Sequence, residues 1–107
     1  MEKKIEFTRG DTFVFTFTLT GDDLHLDEAY FTVRKKKDTE ILFQRTLENG
    51  ITDDGEGKYT VRIAPENTEK LQPGSYLYDL EIRDNQDVLT PLKGTMKLAY
   101  DITYEEE

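Results

Sequence analysis

Alternation of apolar and polar residues is the feature of this sequence that most constrains its fold. Over Thr12–Thr20 an apolar residue stands at every second position, and threonines and one valine stand between them. The alternating apolar residues are Phe13, Phe15, Phe17 and Leu19. A period of two is that of a β-strand, whose successive side chains point to opposite faces. The run therefore predicts a half-buried strand, bounded by turn residues at Arg9–Asp11 and Gly21–Asp23.

The composition favours strands throughout the chain. The 107 residues include 14 Thr, six Phe and six Tyr against three Ala, and β-branched and aromatic residues suit a pleated, half-buried surface. A chain of this length has room for one core, so we predict a single domain over residues 1–107 with an acidic tail at 104–107. With no Cys and one His, a disulfide framework, a thiolate zinc site, a cysteine nucleophile and a His-rich metal site are excluded.

Seven or eight short strands follow from the same signals. Besides Thr12–Thr20, the predicted strands are Lys3–Thr8, Glu28–Lys35, Glu40–Leu47, Tyr59–Ile63, Ser75–Arg83 and Val88–Tyr104, the last as one long strand or a bent pair. The apolar residues of Glu40–Leu47 alternate less cleanly, which predicts a bulge or an edge position. Glu48–Lys58 contains three glycines and predicts a connecting loop without regular structure. Pro65–Leu71 predicts one or two helical turns.

Many short strands separated by turns are typical of an immunoglobulin-like antiparallel β-sandwich, and a small barrel is the alternative. The segment Leu71–Tyr76 invites comparison with the tyrosine corner of such domains, in which a tyrosine near the start of a strand bonds to the backbone just upstream. The other interpretation of this segment is a turn followed by an ordinary core tyrosine. Both interpretations give Tyr76 a structural role.

The charge balance excludes several kinds of partner. There are 14 Lys+Arg against 23 Asp+Glu, a formal net charge of −9, which opposes binding to nucleic acid and to anionic membranes. The start, Met1–Thr8, alternates and lacks the continuous apolar run of a secretory signal. No stretch approaches the ~18 apolar residues of a spanning helix. We therefore expect synthesis in the cytoplasm without an export signal.

Acidic clusters are the first candidates for a metal site. Carboxylate oxygens could serve Ca²⁺, which needs about six to eight ligands, but Asp, Asn and Gly are also the residues that turns prefer. The clusters are Asp22–Asp23, Asp53–Asp54 with Glu56, and Asp84 with Asn85 and Asp87. None has the spacing of an EF-hand loop, so turn chemistry is the favoured interpretation and no metal or cofactor is predicted.

Three further patterns could carry function. His25 has no Ser or Cys motif nearby, and we interpret it as a surface or half-buried structural histidine. Arg9–Asp11 spells a tripeptide that some adhesion receptors recognise, but Gly-Asp in a turn explains it without a ligand. The basic run Arg34–Lys37 could meet an acidic partner or a neighbouring subunit; a solvated strand end and turn is the simpler interpretation. No catalytic residue is predicted, and we expect no enzymatic activity.

The order of several segments resembles small prophage-encoded immunoglobulin-like proteins and is similar to the N-terminal domain of phage baseplate upper proteins. The segments that carry this resemblance are Gly10–Leu19, Tyr30–Lys35, Gly57–Val61, Pro65–Thr68, Leu71–Leu80 and Leu92–Met96. The resemblance spans residues 10–103 and includes no catalytic signature, and Asp22–Leu26 departs from the small and apolar residues expected there. It implies a non-enzymatic structural module associated with a virion or tail.

We therefore expect a phage or prophage structural module that acts through protein–protein contacts in a virion, tail or baseplate assembly. Its partners would be copies of itself, as a homo-oligomer, or other phage structural proteins, met through exposed strand edges and rows of Tyr and Thr. The alternative is a β-sandwich module that binds a carbohydrate or a cell surface through tyrosine side chains. The absence of Trp weakens that alternative.

Overall fold

The structure, a computed structural model, describes residues 2–19, 26–84 and 87–100. Within these ranges the chain forms eight strands and one helical turn. In chain order they are β1 (Ile5–Thr8), β2 (Phe13–Thr18), β3 (Glu28–Arg34), β4 (Ile41–Leu47), β5 (Gly50–Gly55), β6 (Lys58–Ile63), α1 (Pro65–Thr68), β7 (Gly74–Asp84) and β8 (Asp87–Ala99). The all-β prediction is confirmed. The predicted ends at Thr20 and Tyr104, the turn residues Asn85 and Gln86, and the acidic tail lie outside the described residues.

The strands form one hydrogen-bonded ladder in the order β1-β8-β7-β3-β4-β5-β6-β2. Five neighbouring pairs are antiparallel, whereas β1–β8 and β4–β5 are parallel, so the sheet is mixed and not wholly antiparallel as predicted. The β4–β5 link consists of two register pairs, Thr46 with Gly50 and Leu47 with Ile51. This weak link divides the ladder into a five-stranded part (β1, β8, β7, β3, β4) and a three-stranded part (β5, β6, β2).

The core lies between these two parts. The Phe15 ring of β2 meets the Phe31 ring of β3 edge-on, with centroids 5.6 Å apart. Tyr59 of β6 is fully buried, and its hydroxyl accepts a hydrogen bond of 3.0 Å from the backbone N–H of Leu26, ahead of β3. Burial of such large apolar side chains is the main favourable term in folding. The three-stranded part is therefore held against the five-stranded part by a shared aromatic core.

The first two strands leave a common turn and join opposite ends of the ladder. The Phe7 ring of β1 stacks on the Phe13 ring of β2 with centroids 4.7 Å apart. Arg9 in the turn is buried, and its guanidinium donates to the Leu71 carbonyl at 3.2 Å. The N–H of Gly10 donates to the Thr68 hydroxyl at 2.9 Å. The turn is thus fixed against α1, and the two strands diverge from it.

The structure corrects a further prediction, because Glu48–Lys58 contains a strand. Residues Gly50–Gly55 form β5 and pair with β6, and Ile51 is fully buried. The turn chemistry is confined to the ends, where Glu48, Glu56 and the glycines at 50, 55 and 57 have positive φ. Ile51 is the one buried side chain in the strand, so the alternation that identifies a strand is missing.

The ladder has two irregularities, and one of them is predicted from the sequence. Between the pairs Leu80–Leu92 and Ile82–Leu89, β8 has one residue more than β7, and this bulge contains Pro91, which has no N–H for the ladder. Val88–Ala99 therefore continues as one strand through Pro91. In β4 the register shifts between Phe43 and Ile41, which confirms the predicted bulge.

The segment between β6 and β7 has the features of a tyrosine corner. Pro65 begins α1, a single helical turn, as predicted. The buried Tyr76 near the start of β7 donates from its hydroxyl to the Gln72 carbonyl at 2.5 Å. Burial raises the pKa of Tyr76 above its usual 10.0, although the bond to Gln72 acts in the opposite direction.

Candidate functional site

An apolar groove separates the diverging strands β1 and β2. Its volume is about 520 Å³, within the range of pockets that bind small ligands. Residues 13 and 15–19 line the β2 side, residues 3–6 line the β1 side, and Leu80, Pro91 and Leu92 complete the lining. Leu80 is fully buried, so the groove reaches the core. It exists because the two strands joined by one turn pair with different neighbours.

The β2 side of the groove is a row of phenylalanines. Phe13, Phe15 and Phe17 lie on the core face of the strand, yet each is only half-buried. Their inner contacts are aromatic: Phe17 stacks on Tyr59 with ring centroids 5.2 Å apart. By contrast, Phe31 in the middle of the ladder is completely buried. Within the described ranges β2 pairs with β6 alone, so these rings are anchored by the core on one side and open to the groove on the other.

The β1 side is polar at its rim and tightly held at its backbone. Lys3 and Lys4 line the groove and are both exposed, and Lys4 lies 3.8 Å from Glu6 in a surface ion pair. The N–H of Lys3 donates to the Lys93 carbonyl at 2.9 Å, and the Lys3 carbonyl accepts the Tyr78 hydroxyl at 2.5 Å. This backbone therefore has partners on β8 and β7, whereas the lysine side chains extend to the surface.

The outer edge of β2 has none of the usual protection against pairing with another strand. Natural edge strands carry charges, prolines or bulges that block such pairing. The sequence of β2, Phe-Val-Phe-Thr-Phe-Thr, contains no charged residue, proline or glycine. At the other end of the ladder β1 carries Glu6, and along the weak β4–β5 link β4 has a bulge and β5 carries Asp53 and Asp54. The β2 edge is therefore the exception among them.

A second cleft of about 840 Å³ opens on the outer face of the five-stranded part. It is lined by charges of both signs, among them Arg34, Lys37, Asp79 and Lys93. The pKa of the Asp79 carboxyl is raised above its usual value, mainly by burial and also by the neighbouring Glu81. The positive charges of Arg34 and Lys93 offset part of this rise. A wide cleft with interspersed charges provides no concentrated field for one kind of ion.

The basic run Arg34–Lys37 forms the end of β3 and the following turn. The Arg34 guanidinium donates to the Thr39 carbonyl. The Lys35 ammonium donates to the Ser75 carbonyl at 3.1 Å and lies 4.5 Å from the centre of the Tyr76 ring. The run therefore lies at a strand end and turn, as predicted, and its first two residues are bonded within the protein.

Two of the described acidic residues, Asp53 and Asp54, make hydrogen bonds within the β5–β6 hairpin. The Asp53 carboxylate accepts the N–H of Gly55 at 2.9 Å, and Asp54 accepts the Thr60 hydroxyl. In the described ranges no group of three His, Cys, Asp or Glu could hold a metal ion. The candidates Asp22–Asp23, His25 and Asn85 lie outside those ranges.

The tripeptide at Arg9–Asp11 has a structural role. Gly10 has a φ of +82°, as tight turns require, and the Arg9 side chain is only 7% exposed. An adhesion receptor needs an accessible arginine, so the structure favours the turn interpretation.

One row of threonines lies on the surface, whereas three of the tyrosines lie in the core. Thr16, Thr60 and Thr52 form a row across β2, β6 and β5, on the surface of the three-stranded part. The tyrosines Tyr59, Tyr76 and Tyr78 are buried in the core. The expected surface row of threonines is therefore confirmed, whereas that of tyrosines is wrong for these three, because they stand at inward positions of their strands. Because they are buried, these three tyrosines are also inaccessible to a carbohydrate.

The sequence identifies the phenylalanines that line the groove, but it does not indicate that a groove forms between β1 and β2. Alternation places Phe13, Phe15 and Phe17 on one face, which predicts burial. Their partial exposure depends on β1 pairing with β8, at the far end of the chain. One local signal was present, since β2 lacks the charged residues that β1 has.

No described helix could cross a membrane.

Comparisons with known proteins give fold similarity alone. No family model matches the chain, and no curated protein matches it. The chain is similar to part of a candidate glycoside hydrolase from Bacteroides vulgatus, with a TM-score of 0.53 and 20% identity over 94% of this chain and 17% of that one. It is also similar to the extracellular domain of the voltage-gated sodium channel beta4 subunit, described as a parallel homodimer with a role in cell-cell adhesion, with a TM-score of 0.48 and 13% identity over 94% and 93% of the two chains. The chain thus spans about a sixth of the first protein, and its strand arrangement occurs there as a section of a larger chain.

Proposed function

We propose that this chain is a non-enzymatic, immunoglobulin-like β-sandwich module that acts through protein–protein contacts in a phage or prophage particle, at the tail or baseplate. The observation that carries the proposal is the unprotected edge of β2 beside an apolar groove. Exposed apolar patches and open strand edges mark sites of association. Here both occur together, on the same strand.

The sandwich assignment is supported by the connections between strands. The five-stranded and three-stranded parts share a core and are linked in the ladder by two register pairs. Tyr76, near the start of β7, bonds back to the Gln72 carbonyl in the segment that joins β6 to β7, as the tyrosine of a tyrosine corner does. The parallel β1–β8 pair brings the first strand to the last, as an added edge of the five-stranded part.

The phage assignment is supported by the resemblance of residues 10–103, and the matched segments fall on structural elements. Gly57–Val61 covers the β5–β6 turn and most of β6, and Leu71–Leu80 covers the tyrosine corner and much of β7. These segments define a framework and contain no chemistry. The non-enzymatic assignment is supported by the structural roles of Arg9, Asp53 and Asp54, which bond to the Leu71 carbonyl, the Gly55 N–H and the Thr60 hydroxyl, respectively.

Size-exclusion chromatography with light scattering, together with the identities of the neighbouring genes, tests this proposal. We expect genes for virion or tail proteins on either side, and either self-association or co-elution with one of the encoded structural proteins. A strict monomer that is encoded among metabolic genes and binds none of its neighbours' products would overturn the proposal.

A further inference from the structure

We infer that the groove between β1 and β2 binds an extended, apolar and acidic segment of a partner protein, which adds to the ladder as a strand along β2. The inference rests on the proposed function, since it names the kind of segment that the module would receive. Its backbone would pair with the open edge of β2, its apolar side chains would enter the groove, and its acidic side chains would face Lys3 and Lys4.

The backbone argument concerns the open edge. β2 has six residues, or about 20 Å of strand, and its outer N–H and C=O groups have no neighbouring strand among the described residues. Buried backbone groups need hydrogen-bond partners. Strand addition supplies these partners without requiring a particular sequence, and it is a recurrent mode of peptide recognition.

The side-chain argument concerns the groove itself. An added strand points alternate side chains to one face, so a segment as long as β2 would direct about three of them inward. They would meet Phe15 and Phe17, whose rings are held by Phe31 and Tyr59, and the groove has a volume of about 520 Å³. Rings that are already anchored lose little freedom on binding, which favours affinity.

The charge argument selects the partner. The chain as a whole carries −9, but the groove lining has two lysines and one glutamate, and the glutamate pairs with Lys4. The groove therefore has a net positive rim on an acidic protein. Complementary charges at a rim steer encounter and select partners, so an acidic segment fits better than a basic one.

The same observations disfavour two other occupants. A second copy that presented its own β2 would bring no acidic residue to Lys3 and Lys4, since residues 12–19 are uncharged. The chain's own C-terminal residues would begin near the turn, because the Arg9 N–H donates to the Ala99 carbonyl at 3.0 Å. Beside that turn the rings of Phe7 and Phe13 stack on each other across the two strands.

The test uses a synthetic probe and isothermal titration calorimetry on the full chain. The probe is a seven-residue peptide with blocked ends, in which isoleucine and valine alternate with glutamate and threonine. Its controls are a scrambled peptide of the same composition and a peptide with lysine in place of glutamate. We expect binding of the probe, with hydrogen-exchange protection confined to β2 and β1, and binding at least about tenfold weaker for the scrambled peptide.

Variants of the protein locate the site. Lys3→Glu with Lys4→Glu alters two exposed side chains, so the fold is retained, and it should weaken binding of the probe about fivefold to tenfold and strengthen that of the lysine peptide. Phe15→Thr should abolish binding, whereas the matched uncharged substitution Val14→Thr, on the opposite face of the same strand, should not change it. Equal binding by the Lys3→Glu/Lys4→Glu variant and the parent protein would overturn the charge assignment.

Three outcomes would assign the groove to another occupant or to none. Binding that appears only after removal of residues 101–107 would mean that the chain's own end fills the groove. A dimer that Phe15→Thr dissociates and Val14→Thr does not would mean that a second copy fills it. Absence of probe binding in both the full and the shortened chain would reject the groove as a peptide site. If the probe does not bind but the gene lies among tail genes and the protein self-associates, the groove proposal fails and the proposed function stands. If the probe binds but the gene lies among metabolic genes, the groove proposal stands and only the phage assignment fails.

Discussion

The two strands joined by the Arg9–Thr12 turn differ in how they end the sheet. β1 is short, carries charge, and is fixed through its preceding residue Lys3, whose backbone bonds to Lys93 and Tyr78. β2 is uncharged, pairs with one strand, and has phenylalanines that are only half-buried. By joining β8, the first strand therefore completes one part of the ladder and leaves the other part open.

The attachment of β1 depends on one small residue. Tyr78 lies directly opposite Gly94 in the β7–β8 pair, and its hydroxyl reaches past β8 to the Lys3 carbonyl. A Cβ at Gly94 would lie 2.4 Å from that carbonyl oxygen. The absence of a side chain at Gly94 therefore permits the close approach on which the β1 end depends.

Of the substitutions that test how β1 is held, Gly94→Ala should lower the stability of the protein most. The new methyl group would overlap the Lys3 carbonyl, and overlap of this kind costs about 1–3 kcal/mol in well-packed sites. We expect the free energy of unfolding to fall by about 2–4 kcal/mol, because the φ of +156° adds backbone strain. Urea denaturation measures the loss, and hydrogen exchange should show that β1 opens before β2.

Gly10→Ala is the matched control. Gly10 also has positive φ, but a Cβ there meets no atom within 4 Å, so the change should cost only the backbone strain of about 1–2 kcal/mol. If Gly94→Ala cost no more than Gly10→Ala, close approach at Gly94 would not be what holds β1.

Tyr78→Phe should give the next largest loss of stability. The substitution keeps the ring but leaves the Lys3 carbonyl without the hydroxyl donor, and a buried acceptor that loses its partner costs about 1–3 kcal/mol. We expect a loss of about 1–2 kcal/mol together with faster hydrogen exchange in β1. Tyr76→Phe breaks the analogous bond to Gln72, so it should lower stability similarly without loosening β1. Equal protection of β1 in the two variants would contradict the assigned role of Tyr78.

The same two tyrosines should make the free energy of unfolding depend on pH in alkaline solution. Burial raises the pKa of both Tyr76 and Tyr78 above 10.0. A pKa that is higher in the folded than in the unfolded state contributes stability below the unfolded value, and this contribution is lost as pH rises toward the folded value. The parent protein should therefore lose stability above pH 10.0, and a variant with phenylalanine at both positions should lose less. Urea midpoints at about pH 8 and about pH 11 would measure this, and parallel slopes would contradict it.

Much of the fold could be predicted from local patterns. Alternation at Tyr76, Tyr78, Leu80 and Ile82 gives the core face of β7, as the burial of these residues shows. The bulge at Pro91 and the helical turn at Pro65 follow from the fixed geometry of proline. These features depend on near neighbours in the chain, so the sequence alone contains them.

The remaining features depend on contacts between distant segments. β5 is buried at Ile51 alone, and its Asp and Gly residues favour a turn until β6 pairs with it. The partial exposure of Phe15 and Phe17 follows from the parallel pairing of Ile5 with Met96, which no local pattern indicates. The groove could therefore not be predicted, even though its aromatic residues could.

Thr16→Lys should change stability least and association most. Thr16 is exposed on β2, where a lysine supplies the protection that Glu6 gives to β1. Exposed substitutions of this kind usually change stability by less than about 0.5 kcal/mol, so the urea midpoint should stay near that of the parent protein. Light scattering at high protein concentration should nevertheless show less of the weak edge-to-edge association that an unoccupied β2 edge permits.

Thr52→Lys is the control for this change, because Thr52 is exposed in the same row of threonines but lies in β5 beside Asp53 and Asp54. An edge that already carries charge gains little from another, so Thr52→Lys should leave association unchanged. If both variants reduced association equally, net charge would be the cause and the open edge of β2 would not. A reduction specific to Thr16→Lys would locate the association at β2, because that variant adds charge at the edge that the first strand leaves uncovered.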